Sequence, residues 1–360
     1  GDTVSLEGRL LYPEINRKRS DWDQTLDYVA NGFMRTIEQH GPDSVAFYVS
    51  GQLLTEDYYV ANKLMKGFIG SPNIDTNSRL CMSSAVVAYK RAFGSDTVPC
   101  NYEDLEQAEL IILTGSNAAW CHPILFQRIR AAKENKPGLR VVVIDPRRTS
   151  SCDIADLHLP IKPGADATLF NGLLTQIADS RILDRSFLEI QTHGFEEALA
   201  SARNNAADIT SVAKVCGLNK KDVQQFYQWF IENEKAITIF SQGINQSSSG
   251  TDKCNSIINC HLASDRIGKP GMGPFSFTGQ PNAMGGREVG GLANVLAAHM
   301  DLENPEHVDC VGRFWGTDHV ADRQGLKAVE LFDAVYDGKI KAIWIMGTNP
   351  AVSYTHLRAH

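Results

Sequence analysis

Five short runs of apolar, largely β-branched residues constrain this chain most: SVAFYV at 44–49, ELIILT at 109–114, RVVVI at 140–144, AITIF at 236–240 and IKAIWIM at 340–346. Runs that are continuously apolar suit strands covered on both faces. The stretches 21–40, 55–69, 81–93, 118–135, 167–179 and 252–267 carry apolar residues at three and four spacing, and several open on Asp, Ser or Thr, so the spacing predicts helices there. Strand then helix, repeated, gives an α/β fold with mainly parallel sheets and right-handed crossovers. A chain of 360 residues has room for two or three such domains. No internal repeat or low-complexity linker interrupts the alternation.

The segments just beyond the strands point to a ligand. SGQ, GSN, DPRR, SQGINQSSSG and GTNP come directly after the five runs. Small and amide-bearing residues thus gather where an open α/β sheet binds ligands. Glycine admits a close backbone approach, Asn and Gln donate and accept at heterocycle edges, and Asp145 at a strand end suits ribose hydroxyls or guanine donors. A single GSN or GTNP is an ordinary turn; five together imply one or two extended nucleotide-like ligands. The usual phosphate loops are missing: there is no G-x-x-x-x-G-K-[ST], and no G-x-G-x-x-G between a strand and a helix. A plain nucleotide hydrolase or nicotinamide dehydrogenase is therefore disfavoured.

Charge narrows the partners. The formal net charge is −7 and the pI near 5.8, which argues against broad binding to nucleic acid or acidic lipid. No apolar run approaches the roughly 18 residues of a membrane span, and the opening GDTVSLEGRLLYPE lacks the regions of a signal peptide, so a cytoplasmic chain without membrane or nucleic-acid partners is expected. Eight cysteines stand at 81, 100, 121, 152, 216, 254, 260 and 310 with no C-x-x-C pair, which favours reduced thiols in core positions. Lys269 to Gly291, KPGMGPFSFTGQPNAMGGREVGG, is the most unusual composition in the chain, and its glycines oppose a regular helix or strand through most of it. Long loops of this kind are usually functional. Its Arg287 is set among small residues, as an anion site could be, or as a surface arginine paired with Glu288.

NSRLCMSSA (77–85), followed in order by KRAFGSD, GSNAAWCHPIL, IDPRRT, KPGADATLFNG, GINQSSSG, FSFTGQPNAMGGREVGG and IMGTNP, resembles the molybdenum bis(guanylyl-pyranopterin) oxidoreductases, most closely their assimilatory nitrate-reducing branch. The likeness runs from about Leu6 to Val352; the closing SYTHLRAH continues no pattern and is expected to be foreign.

The resemblance implies a molybdenum centre with two molybdopterin guanine dinucleotides, and it makes Cys81 the metal-ligating thiolate. A soft sulfur beside a helix N-terminus suits that role. It implies reduction of nitrate to nitrite, with Arg287 bordering the substrate funnel; a planar guanidinium fork matches a trigonal oxyanion and a lysine does not. Contacts to the pterin nucleotides carry over to Gln52, Asn77, Ser116, Asn117, Asp145, Arg147, Gly164, Asp166, Gln242, Asn245, Gln246, Gln280 and Asn349. Asp145 and Asp166 stand out, since a carboxylate reading guanine N–H donors is a specific demand. Met82 and Met284 could shape the metal pocket, though lone methionines are more often packing. His122 reads as structural.

Departures from the family pattern are as informative. The family's four-cysteine motif for a 4Fe-4S cluster has no counterpart before Cys81, so the cluster's ligands are expected outside this chain, as is a C-terminal domain; a fragment with little activity of its own is the expectation. The resemblance suggests two interleaved α/β domains: 1–80 with 290–352, and a Rossmann-like molybdopterin-binding domain at 81–289, with 353–360 as a non-native tail. Electrons would come from ferredoxin, flavodoxin or an NADH-linked reductase subunit. The alternatives are a formate dehydrogenase-like enzyme, which generally has His where Met82 stands, and a non-catalytic electron-transfer subunit of the same fold.

Overall fold

The computed structural model describes residues 5–353; of the expected foreign tail at 353–360, all but Ser353 lies outside them. Among the described residues ten strands form, in chain order β1 (Glu14–Ile15), β2 (Lys18–Arg19), β3 (Val45–Val49), β4 (Ile74–Thr76), β5 (Leu110–Thr114), β6 (Arg140–Ile144), β7 (Leu157–Leu159), β8 (Ala236–Phe240), β9 (Gly273–Ser276) and β10 (Ala342–Met346). All five apolar runs are strands. β1 and β2 make a small antiparallel ribbon, and every other pairing is parallel.

The chain divides into two compact units, one joining the residues up to Arg79 with those from Gln280 onward, the other running from Leu80 to Gly279. In the first, the sheet order is β10-β3-β4, and every residue of β3 is buried. Residues 280–289, expected with the Rossmann-like domain, group with this unit. The helix Ala283–Glu288 explains why: Gly286 lies so close to the Tyr58 ring that a Cβ would sit 2.8 Å from it.

The second unit holds a five-stranded parallel sheet of order β7-β6-β5-β8-β9. Alternation along β5 shows why it is covered on both faces: Leu110 and Ile112 enter one core with Leu169, Phe226 and Ile257, whereas Ile111 and Leu113 enter another with Ile129, Val141 and Phe275. Helices Pro123–Asn135 and Gly250–Ala263 make crossovers near the predicted bounds. The stretch between Ala178 and β8, for which the sequence reading names no element, forms four helices, three of them opening on side-chain caps from Asp184, Asp208 and Asn219. The glycine-rich run is also more regular than its composition implies. The free edge of β8 recruits 273–276 as β9, since a strand edge offers hydrogen bonds that propensity does not count.

The order of the second sheet sets where a ligand can bind. The chain runs outward from β5 through β6 to β7, then returns to lay β8 on the other side of β5. The crevice at the carboxyl ends of β5 and β8 is therefore a topological switch point, where open α/β sheets bind ligands.

Candidate functional site

Two glycines meet at the switch point. Gly115 follows β5 with φ +56°, Gly243 follows β8, and the Gly243 N–H donates to the Gly115 carbonyl at 3.0 Å. A Cβ on Gly243 would fall 2.6 Å from the Gly115 Cα, so only glycine lets these loops approach.

Cys81 stands beside this junction. A single helical turn, Ser78–Cys81, is broken at Met82 (φ −125°, ψ 7°), and the longer helix Ser83–Phe93 begins just after. The thiol is half-buried, and its Sγ accepts from the Gln242 amide Nε2 at 3.1 Å. Behind it a chain of sulfur and amide contacts forms: Asn245 Nδ2 donates to Met82 Sδ at 3.0 Å, and the Cys254 thiol donates to Asn245 Oδ1 at 3.3 Å. Burial pushes the Cys254 thiol up to about 12, so it stays protonated and donating. Met82 and Asn245 are both buried. The structure thus brings Cys81, Gln242 and Asn245 together, with Met82 as packing between them, whereas Met284 is exposed in the other unit.

Along the same strand ends, several buried hydroxyls lack a hydrogen-bond partner among the described residues: Thr114 at the end of β5, Ser116 just beyond, Thr149 after β6 and Thr278 after β9. Unsatisfied buried oxygens are costly, and their clustering at one sheet edge is what a polar ligand would relieve. Asn117 is partly engaged, its Oδ1 accepting from Ser151 Oγ at 3.0 Å. Asp145 is buried and accepts from its own turn at Arg147 N, 2.9 Å, while the Arg147 side chain is exposed. Gly164 (φ +90°) and Gln246 are exposed. His122, read as structural, contacts the Thr278 carbonyl through Nε2 and tilts against Phe277.

Asp166 has a partner that the motif did not announce. It opens the helix Asp166–Ala178, and Lys253 Nζ reaches its Oδ2 at 2.8 Å with both side chains nearly buried. The signal was present in the sequence: Lys253, Ile257 and Cys260 share one helix face, and a lysine on a core stripe demands a counter-charge.

The other expected residues lie in the first unit. Asn77 Oδ1 accepts from Gly51 N at 2.9 Å and its Nδ2 donates to Thr348 Oγ1 at 3.0 Å, tying the loops after β3 and β10 together. Gln280 keeps a buried Oε1 without a partner among the described residues. Gln52 and Asn349 are exposed, and Asn349 Oδ1 accepts from Ala351 N at 3.0 Å. Arg287, half-buried, sits in the last turn of Ala283–Glu288. Burial pushes the Tyr58 phenol well beyond its usual range, opposed in part by Thr76 and by the positive field of Arg287, and its O–H donates to the Ser50 carbonyl.

Within the second unit these features describe an α/β sheet whose switch point presents a soft sulfur, an amide donor and unsatisfied hydroxyls. The family described as Molybdopterin oxidoreductase matches residues 9–358, and the chain belongs to it. It is 57% identical over 353 residues to a nitrate reductase of Klebsiella oxytoca, covering 98% of this chain and 40% of that one. It is 54% identical over 354 residues to a nitrate reductase of Shewanella frigidimarina, covering 98% and 37%. More distant is an assimilatory nitrate reductase catalytic subunit of Bacillus subtilis, 34% identical over 334 residues, 92% of this chain and 46% of that one. Acetylene hydratase from Pelobacter acetylenicus shares the fold with a TM-score of 0.61, at 24% identity and over 73% of this chain. The chain spans about 40% of the length of the first relatives.

Family membership implies molybdenum and a molybdopterin cofactor, and the residues present fit such a group. Cys81 offers one soft, half-buried sulfur beside the switch point, which suits a metal whose other ligands a cofactor supplies. The unsatisfied hydroxyls and the glycine-on-glycine contact offer a polar, close-fitting cradle beside it.

Proposed function

We propose that this chain forms part of a nitrate reductase, working with nitrate, two electrons and two protons to give nitrite and water. The observation that carries the reading is the identity to nitrate reductases of 57% and 54%, each over 98% of the chain. When bound, the molybdopterin centre supplies the two-electron oxygen-atom transfer. Cys81 holds the metal through its thiolate, and the Gln242 N–H steadies that sulfur. The hydroxyls of Ser116, Thr114 and Thr278 take up polar atoms of the cofactor, whose form we read as the guanine dinucleotide, with Asp145 and Asp166 as the carboxylates that accept from guanine. The amides and loop residues Gln52, Asn77, Asn117, Arg147, Gly164, Asn245, Gln246, Gln280 and Asn349 complete the cofactor contacts in this proposal. Arg287 recognises the oxyanion with its planar fork.

We place the enzyme in cytoplasmic nitrate assimilation, with ferredoxin, flavodoxin or an NADH-linked subunit as donor and a 4Fe-4S cluster bound by residues beyond those of this chain. Among the described residues no helix is long and apolar enough to cross a membrane. The test uses the molybdenum-loaded protein that contains this chain, reduced by a viologen dye, with nitrite formation measured against formate oxidation. Nitrite production that Cys81→Ala abolishes is the expected result; formate turnover without nitrite would overturn it. Arg287→Lys should raise the KM for nitrate about tenfold or more, as loss of one charge-assisted bond implies.

A further inference from the structure

The helix after β3 runs from Thr55 to Asn62 and continues through Ile69 as a π-helical turn, a form that recurs at functional sites. Three of its side chains, Tyr58, Asn62 and Lys66, succeed one another at four-residue spacing, and all three are turned to the backbone of 286–295. The Tyr58 ring sits under Gly286 and Gly291. Asn62 Nδ2 donates to the Val289 carbonyl at 2.8 Å. Lys66, with 0% exposure, donates to the carbonyls of Gly290, Leu292 and Val295 at 2.7, 2.6 and 2.6 Å.

An ammonium has three N–H donors and no acceptor, so Lys66 is fully committed, and every partner lies in one six-residue stretch. That stretch has little to hold itself. Gly290 is left-handed (φ +81°), Gly291 comes next, and no regular element forms before the short turn at Ala297–His299. Burying a lysine is costly unless its donors are met. Desolvation accordingly draws its pKa down to about 7, opposed by Asp75 and assisted by Arg79. Those two charges face the same loop: Asp75 Oδ1 accepts from Ala293 N at 3.3 Å and from Arg79 at 3.0 Å, and Arg79 donates to Asn294 Oδ1 at 2.6 Å. A buried ammonium, a carboxylate and a guanidinium therefore converge on a loop that starts where the Arg287 helix ends.

We propose that Lys66 is the positioning residue for Arg287: by clamping the carbonyls of Gly290, Leu292 and Val295 it fixes the exit of the Ala283–Glu288 helix and so the aim of the guanidinium. The inference rests on the reading of Arg287 as the oxyanion-recognising residue. Lys66 touches no substrate; it acts through the loop. A lysine that merely filled the core would bond to whatever carbonyls lay near, on several elements, and would not be accompanied by Asn62 and Tyr58 on the same stripe.

The test compares Lys66→Met, which keeps the length and apolar stem of the side chain, with wild type in the molybdenum-loaded protein. Nitrate KM should rise about tenfold while kcat changes less than about threefold, as loss of ground-state positioning requires. Amide hydrogen exchange, which needs no activity, should quicken about tenfold across 286–296 and stay unchanged in β3 and β4. In an Arg287→Lys background, Lys66→Met should leave the KM where it is, because the group it positions is gone. Exchange that rises evenly through the first unit with an unchanged KM would overturn the proposal, as would unchanged exchange at 286–296. Should Lys66→Met fail to fold, Asn62→Leu decides: faster exchange confined to 286–296 supports the clamp and unchanged exchange defeats it. If Arg287→Lys itself leaves nitrate kinetics intact, the functional reading of Arg287 fails, whereas the exchange result still judges the clamp.

Discussion

Lys253→Met should cost the protein about 3 kcal/mol, the scale of a buried pair that loses one member. Lys253 Nζ and Asp166 Oδ2 are 2.8 Å apart, with side chains 5% and 11% exposed. At that distance and an effective dielectric of about 20, their attraction is about 6 kcal/mol. Withdrawing the two ions from water costs several kcal/mol each, so attraction and desolvation nearly cancel and the intact pair contributes little. Removing the ammonium upsets the cancellation, because the carboxylate stays buried at the start of Asp166–Ala178. The helix N-terminus recovers at most about 2 kcal/mol of the carboxylate's desolvation, which leaves a net loss on that scale. Urea unfolding tracked by circular dichroism reads the difference directly. The double variant Lys253→Met with Asp166→Leu should return to within about 1 kcal/mol of wild type, since both charges are then gone. A single variant that loses less than about 1 kcal/mol, or a double variant worse than either single, would show that the pair is solvated and the reasoning wrong.

Two further perturbations test the frame around the site. Gly243→Ala places a methyl 2.6 Å from the Gly115 Cα, where backbone faces backbone, so a loss of about 3 kcal/mol is expected; an unchanged Tm would mean the loops have room. His261 is fully buried with Nε2 2.8 Å from Thr238 Oγ1, and burial first, then Arg266, draws its pKa well below the ordinary range. The unfolded chain therefore binds a proton that the folded chain refuses, and the stability present above about pH 6.5 is lost as pH falls below it. His261→Gln should flatten that acid limb in unfolding measured from pH 7 to 5; an unaltered limb would show that other groups set it.

Much of the fold was legible because burial on both faces leaves a plain trace. The runs at 109–114 and 236–240 are continuous because alternate residues enter different cores, and 342–346 joins β3 in the parallel register that strand–helix alternation requires. The elements that escaped are those whose stability is borrowed. β4, β7 and β9 have three, three and four residues, and only a neighbouring edge makes them strands. The helices between 185 and 232 went unread, although Asp184, Asp208 and Asn219 stand at three of their starts and Val223, Phe226, Tyr227 and Phe230 mark a buried face on the last. The glycine-rich segment misled because glycine count measures propensity, whereas Gly286 is small in order to meet Tyr58.

At the site the limit is different in kind. An Asn or Gln after a strand announces hydrogen bonding but not the partner, and the structure divides the candidates by how their polar atoms are spent. Asn245 satisfies both ends of its amide on the sulfurs of Met82 and Cys254, and Asn77 satisfies both on Gly51 and Thr348. Such residues shape loops, and a ligand must outbid existing bonds to use them. The hydroxyls of Ser116, Thr114 and Thr278 and the Oε1 of Gln280 are the converse: buried atoms unsatisfied among the described residues, each would gain a full hydrogen bond from a ligand that reaches it. The side chains with most to gain from a polar ligand are thus mainly hydroxyls, of which the sequence reading singled out Ser116 alone, while Asn77 and Asn245 spend their amides on the loops around them.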